Sequence, residues 1–199
     1  MKMKRELCLC LGVAALVASG CSTEVSYGDA KETETVTVDY GSTDLQSLSG
    51  KMVQSLIDSP ATTEISVNGR PVLFVDSIRN KSSEHIDTEA LTDTMRTQLL
   101  RSGKFRFVDM SKVAAVKEQL EYQQTSGQVD PASMVRLGKQ TGAQYMLYGN
   151  LASIVKDNGK VKDVFYQLTM NLMDLRSGEL VWADQQEIRK QSKKKTLGW

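Results

Sequence analysis

The chain has 199 residues and a mass of 22.0 kDa, with 25 basic and 24 acidic side chains and a formal net charge of +1. This length is typical of a single domain with a buried core. The near-neutral charge excludes the strongly basic profile of most nucleic-acid-binding domains, so we expect no nucleic-acid partner. The single histidine excludes any metal site that needs several histidines of one chain.

The first twenty residues have the layout of a bacterial export signal. Basic residues at positions 2, 4 and 5 precede a twelve-residue apolar run, Leu7 to Ala18, which is too short to cross a bilayer as a helix. Small residues then lead to Cys21, a pattern that resembles a lipobox. We therefore predict a lipoprotein signal peptide at residues 1–20 and acylation of Cys21. In such lipoproteins an aspartate directly after the cysteine commonly means retention in the inner membrane. This chain has Ser22 there, which implies the outer membrane, facing the periplasm. The alternative is an ordinary signal peptide with an unrelated cysteine.

Residues 21–42 are predicted to form a flexible tether. The segment is rich in Ser, Thr, Glu, Asp and Gly and has little apolar periodicity. Its reach would be roughly 70 Å when fully extended and about 25 Å as a flexible coil. Cys8 and Cys10 lie in the predicted signal, so the mature chain keeps only Cys21. We therefore expect no disulfide and no thiol chemistry.

One globular domain is predicted at residues 43–188. In its first part, predicted helices alternate with short strands. In its last part, apolar and polar residues alternate, as is typical of strands. The predicted elements are a helix from Thr43 that ends at Pro60, a buried strand at 70–78, a polar loop at 79–85, a helix that Asp87 caps and Gly103 ends, a short strand at 105–108, helices at 111–123 and 130–142, and strands at 144–155, 166–172 and 180–187.

The order of these elements predicts an α+β fold in which helices flank a largely antiparallel or mixed sheet. Asp157-Asn158-Gly159-Lys160 is a strong hairpin signal between two of the strands. Residues 189–199 are interpreted as a basic C-terminal tail. Lys193–Lys195 and Trp199 could contact anionic glycan, lipid head groups or nucleic acid, although a solvated tail is the simpler interpretation.

Short catalytic and cofactor motifs are missing from the sequence, so we expect no enzyme activity, no cofactor and no metal. A periplasmic hydrolase that uses His85, Glu84 or Asp76 is the alternative. Neighbours within one loop seldom have the geometry of a catalytic triad, which favours an exposed or capping histidine. Tyr145 and Tyr148 are three residues apart in one strand and point to opposite faces, so one of them is a candidate anchor for a protein interface.

Three stretches occur in the order typical of one family: VLFVDSIRNKSSEHIDTEALTDTMRTQLLRSGKFRFVD, GAQYMLY and YQLTMNLMDLRSGELVWA. They resemble the LpoB family of outer-membrane lipoprotein activators of penicillin-binding proteins over about residues 45–188. The resemblance implies a fold like the TolB amino-terminal domain and a monomeric, non-catalytic binding protein. Such proteins dock on the accessory periplasmic domain of a bifunctional (class A) penicillin-binding protein and stimulate glycan polymerisation and crosslinking.

The resemblance also implies where the partner binds. Tyr148 and Glu179 match positions at which the family contacts its partner, and we add Phe105 and Phe107 as further candidates. Well-known members have a long Pro-rich tether, whereas this chain has about 21 residues without proline. The alternative to an activator is another kind of envelope lipoprotein, a TolB-like or curli-secretion-like subunit that assembles into an oligomeric channel.

Overall fold

The computed structural model describes residues 25–109, 112–128 and 142–194. The predicted signal peptide, Cys21, the helix predicted at 130–142 except its last residue, and residues 195–199 of the predicted tail lie outside these residues. The chain separates into two units, residues 1–32 and 33–199. In the described part of the first unit, the backbone N–H groups of Lys31 and Glu32 donate to Asp29 in a turn. Within the described residues, no helix is long and apolar enough to span a membrane.

The described part of the second unit contains four helices and six strands. They are α1 (Ser42–Asp58), α2 (Pro60–Ile65), β1 (Val72–Val75), β2 (Arg79–Lys81), α3 (Thr88–Arg101), β3 (Arg106–Phe107), α4 (Val113–Thr125), β4 (Tyr145–Asp157), β5 (Val161–Asp174) and β6 (Leu180–Lys193). Several boundaries differ from the prediction, and two of them change the extent of the sheet. The predicted loop at 79–85 contains β2, and β6 continues to Lys193, so residues 189–193 belong to the sheet instead of a tail.

The six strands form one mixed sheet. Its order is β3-β1-β4-β5-β6, and β2 pairs with β4 as well. β1 runs parallel to β3 and β4, and β2 runs parallel to β4, whereas β4, β5 and β6 are antiparallel neighbours. The pairing of β4 with β5 is continuous from Tyr145 opposite Asp174 to Asp157 opposite Lys162. The predicted α+β fold with a mixed sheet flanked by helices is confirmed.

The main core lies between one face of the sheet, here called the inner face, and helices α1 and α3. The helix residues in this core, each at most 1 % exposed, are Leu48, Met52, Leu56, Leu91, Met95 and Leu99. β5 adds every second residue from Val164 to Leu172, because side chains alternate between the faces of a strand. The intervening residues form the outer face of the sheet.

Local sequence explains where α3 begins and ends. The Asp87 carboxylate accepts hydrogen bonds from the N–H groups of Glu89 and Ala90, at 3.0 and 3.2 Å. Gly103 follows the helix with a φ of 70°, a conformation that glycine adopts without strain. α1 begins one residue earlier than predicted, and the Asp44 carboxylate accepts a hydrogen bond from Gly41 N at 2.9 Å.

Residues 33–41, predicted to belong to the tether, pack on the domain and are here called the strap. Val38 is 8 % exposed and is part of the core. The ring of Tyr40 packs edge-on against that of Tyr166, with centroids 5.6 Å apart, and Asp39 forms an ion pair with Lys162 at 2.8 Å. The domain therefore begins near Thr33 instead of Thr43, and the segment between Cys21 and the strap is only residues 22–32.

Candidate functional site

Tyr148 lies on the outer face of β4, as its spacing from Tyr145 predicted. Tyr145 is 7 % exposed and belongs to the core, whereas Tyr148 is half-buried. Across the sheet, Tyr148 pairs with Asn171 of β5, and Asn171 pairs with Ala183 of β6. This row places a partly exposed tyrosine beside an amide and a small side chain.

The adjacent row, nearer the end of the sheet, is apolar. Met146 lies opposite Met173, and Met173 lies opposite Leu180. Leu180 is 56 % exposed, and Leu175 in the turn that follows β5 is 43 % exposed. Exposed apolar side chains beside a tyrosine are typical of protein-binding surfaces. Met146, Tyr148, Met173, Glu179 and Leu180 are together called the outer patch.

Glu179 stands in the turn between β5 and β6, at the same end of the sheet. Asp174 holds this turn: its N–H donates to Glu179 O at 2.9 Å, and its C=O accepts from Gly178 N at 2.8 Å. The Asp174 carboxylate also accepts from the Arg176 guanidinium at 2.9 Å. Gly178 adopts a φ of 77°, which the turn requires. The backbone next to Glu179 is therefore fixed on both sides.

At this turn Asp174 is paired with Arg176, whereas Glu179 forms no ion pair with another described residue. The hydrogen bond from Arg176 holds the pKa of Asp174 below its usual value, so that carboxylate is ionised at neutral pH. Glu179 is exposed and makes no ion pair with any other described residue. Exposed Leu180 follows Glu179 in the sequence. A partner that presents a cation beside an apolar side chain would complement this arrangement.

The two phenylalanines proposed as partner contacts are not part of the outer patch. Phe105 is 1 % exposed and lies in the core, where a folded partner cannot touch it, so the prediction for Phe105 is corrected. Phe107 in β3 is partly buried and packs against the same core. β1 separates β3 from β4 and hence from Tyr148. The apolar side chains of the short strand after α3 therefore pack in or against the core.

Two residues of the hydrolase alternative, Glu84 and Asp76, accept hydrogen bonds that hold the local structure. The two oxygens of Glu84 accept hydrogen bonds from the Tyr166 phenol at 2.5 Å and from Tyr40 N at 3.0 Å. His85 is exposed, and the Asp76 carboxylate accepts from the following N–H at 2.9 Å. In residues 25–109, 112–128 and 142–194, no group of three or more His, Cys, Asp or Glu could hold a metal ion.

Sequence reasoning proposed Tyr148 and Glu179 but did not single out the apolar residues around them. The alternation along β5 contained a signal for Met173, because it follows inward-facing Leu172 and must point outward. The sequence contained no comparable pattern that would place Leu180 on the outer face. Its position opposite Met173 depends on the register of β6, which includes an irregularity at Leu172/Met173.

Comparison with known proteins identifies the family. A family profile described as peptidoglycan-synthase activator LpoB matches residues 44–188. The chain belongs to the LpoB family. Penicillin-binding protein activator LpoB of Enterobacter sp. (strain 638) is 27 % identical over 147 residues, which cover 74 % of this chain and 60 % of the relative. The protein of that name from Escherichia coli (strain K12) is 26 % identical over 125 residues, covering 63 % and 55 %. The alignments thus span less than two thirds of these relatives.

Solved structures of LpoB domains are also similar to this chain. The LpoB C-terminal domain from Escherichia coli matches with a TM-score of 0.45 and 23 % identity, over 73 % of this chain and 98 % of that domain. The NMR structure of Escherichia coli LpoB matches with a TM-score of 0.43 and 21 % identity, over 88 % and 84 %.

Proposed function

We propose that this protein is a non-catalytic activator of a peptidoglycan synthase. It binds the accessory periplasmic domain of a bifunctional (class A) penicillin-binding protein and stimulates glycan polymerisation and crosslinking. The observation that carries the proposal is the outer patch at one end of the sheet, within the segment matched by the family. It presents Tyr148, exposed apolar side chains and Glu179, which forms no ion pair with another described residue. Its residue types are those of protein interfaces.

The activation mechanism follows from binding thermodynamics. A partner that exists in less active and more active conformations shifts toward the form that the outer patch binds more tightly. The increase in rate then reflects the difference in affinity for the two conformations. No residue of this chain has to touch the reacting glycan.

We infer further that the mature protein is a monomer anchored in the outer membrane by acyl chains on Cys21 and faces the periplasm. The sequence around Cys21 supports this, and several acyl chains give a durable anchor. Residues 22–32 reach at most about 40 Å. The synthase's accessory domain therefore has to approach the anchored domain closely. A tether of this length raises the effective concentration of a weakly bound partner.

The experiment adds the non-lipidated chain from Ser22 to each class A penicillin-binding protein of the same cell and measures glycan polymerisation and complex formation together. We expect one synthase to bind and accelerate. Tyr148→Ala and Glu179→Gln should each weaken binding by about tenfold or more, as interface anchors do. The matched controls are Tyr122→Ala and Glu118→Gln, which change exposed residues of α4.

Three results would contradict this proposal. They are a lack of binding to every synthase, binding without acceleration, and equal losses in the patch and control variants. Light scattering of the same sample tests the oligomeric alternative, because a secretion subunit would form a ring whereas we expect a monomer.

A further inference from the structure

Four lysines meet at the end of the sheet opposite the outer patch. Lys156 lies near the end of β4, Lys160 in the turn between β4 and β5, and Lys193 and Lys194 at the end of β6. The register places Lys193 opposite Val161, and Lys194 N donates to Lys160 O at 3.0 Å. Two stretches that are far apart in the sequence therefore form one surface, which we call the lysine end.

The lysine end carries positive charge that the described residues do not neutralise. The cations next to it already form ion pairs, which are Lys162–Asp39, Arg189–Asp163 and Lys190–Asp44. By contrast, the four lysines are exposed and make no ion pair within the described part of the chain. Asp157 lies beside them, accepts a hydrogen bond from Gly159 N at 2.7 Å and offsets one of the four positive charges. In sequence, Lys195 follows directly.

Apolar side chains are exposed beside these lysines. Ile154 is 59 % exposed and Val155 is 40 % exposed, and as neighbours in β4 they point to opposite faces. Lysines bind lipid phosphates, and adjacent apolar side chains enter the boundary between head groups and acyl chains. An anionic glycan would use the lysines but not the two apolar side chains. The combination therefore favours a bilayer surface.

The strap contacts two cations next to the lysine end. Asp39 pairs with Lys162, and Asp39 O accepts a hydrogen bond from Lys190 Nζ at 2.7 Å. Asp39 of the strap thus lies close to the lysine end. Tyr148 and Lys156 are eight residues apart along β4, which corresponds to about 27 Å. The outer patch and the lysine end are therefore well separated.

We propose that the lysine end is a second contact with the anchoring membrane and that it binds anionic phospholipid. Acyl chains and a basic surface together form a two-part membrane attachment. With the lysine end on the membrane, the strands of the sheet point away from the bilayer, and the outer patch faces the periplasm at the far end. The contact does not depend on which protein binds the outer patch.

The test measures sedimentation of the non-lipidated chain from Ser22 with vesicles. This chain is suitable because the main core lies entirely between Val38 and Leu172. One set of vesicles contains only phosphatidylcholine, and the other contains about one third phosphatidylglycerol, an anionic fraction chosen for its surface potential. We expect binding to the anionic vesicles alone, and the binding should weaken as salt screens the charges.

Two double variants distinguish the effect of the position of the lysines on vesicle binding from the effect of the net charge. Lys156→Gln/Lys193→Gln should lower the partition coefficient by about 25-fold, since each lysine near an anionic surface contributes about fivefold. Lys51→Gln/Lys112→Gln removes the same charge from exposed residues of α1 and of the segment before α4 and should change it less than about twofold. The first variant should still stimulate the synthase in solution, because the outer patch is intact.

Each other outcome overturns the proposal. Equal losses in the two double variants would mean that net charge alone drives adsorption. No binding to either kind of vesicle would exclude a lipid contact. Binding to purified peptidoglycan but not to vesicles would assign the lysine end to the cell-wall polymer instead.

Discussion

The phenol of Tyr166 donates a hydrogen bond to Glu84 Oε1 at 2.5 Å and thereby joins the middle of β5 to the loop before α3. The same phenol oxygen lies 3.3 Å from Val38 O, and Glu84 Oε2 accepts from Tyr40 N at 3.0 Å. Burial and the neighbouring carboxylate raise the pKa of Tyr166, so the phenol keeps its proton. One tyrosine and one carboxylate therefore hold the strap on the domain.

Tyr166→Phe should loosen the strap because it removes the donor to Glu84. We expect a loss of about 1–3 kcal/mol in the free energy of unfolding, as for a hydrogen bond to a charged group. Denaturant unfolding measures this loss, and limited proteolysis should show faster cleavage within residues 33–41. Tyr122→Phe is the control, because its exposed phenol bonds to exposed Gln128, at 2.7 Å. Equal losses in the two variants would show that the contact with Glu84 contributes nothing specific.

Gly149→Ala should destabilise the sheet strongly. A Cβ at this position would collide with Thr169 O and the sulfur of Met170 on the neighbouring strand. We expect a loss of about 2 kcal/mol or more, because overpacking a well-packed sheet forces the backbone to move. Gly50→Ala in α1 is the matched control. Nothing lies within 4 Å of its added methyl group, and we expect a gain of up to about 1 kcal/mol from better helix propensity. A harmless Gly149→Ala would contradict the close approach of β4 and β5.

Phe105 should matter for stability and not for partner binding. Its side chain is 1 % exposed in the core, so Phe105→Ala should cost about 3–5 kcal/mol. Phe105→Leu keeps most of the apolar volume and should cost less, which leaves a folded protein for a binding assay. We expect its affinity for the synthase to equal that of the unchanged protein. A lower affinity in the folded Phe105→Leu variant would restore Phe105 as a contact residue.

The pair of Asp163 with Arg189 should make stability depend on pH in the acid range. The hydrogen bond from Arg189 lowers the pKa of Asp163 in the folded protein below its unfolded value of 3.8. The pair therefore contributes its full stability above that value, and the contribution is lost as the pH falls through the folded pKa. Urea unfolding should show Asp163→Asn as less stable than the unchanged protein at pH 7, and the difference should shrink as the pH falls below 3.8. A difference that stays constant as the pH falls would point to packing instead of charge.

Local chemistry in the sequence was sufficient to predict much of the secondary structure. Asp87 caps α3 through bonds to residues two and three positions away, and Gly159 adopts a φ of 80° in the predicted hairpin turn. The outward position of Tyr148 followed from the alternation of a strand. Each of these features depends on neighbours within a few residues, which the sequence displays directly.

Only the tertiary structure showed which distant residues meet. Strand register brings Lys193 beside the β4–β5 turn and Leu180 opposite Met173. Packing buries Phe105, and it attaches the strap through Tyr40 to Tyr166 although the composition of that segment is typical of a tether. The hydrophobic effect favours burial of apolar side chains but does not specify which of them meet. The register of two strands depends on the sequences of both strands. For this reason the sequence alone indicated the family, the elements and two patch residues, whereas the two ends of the sheet became visible only in the folded chain.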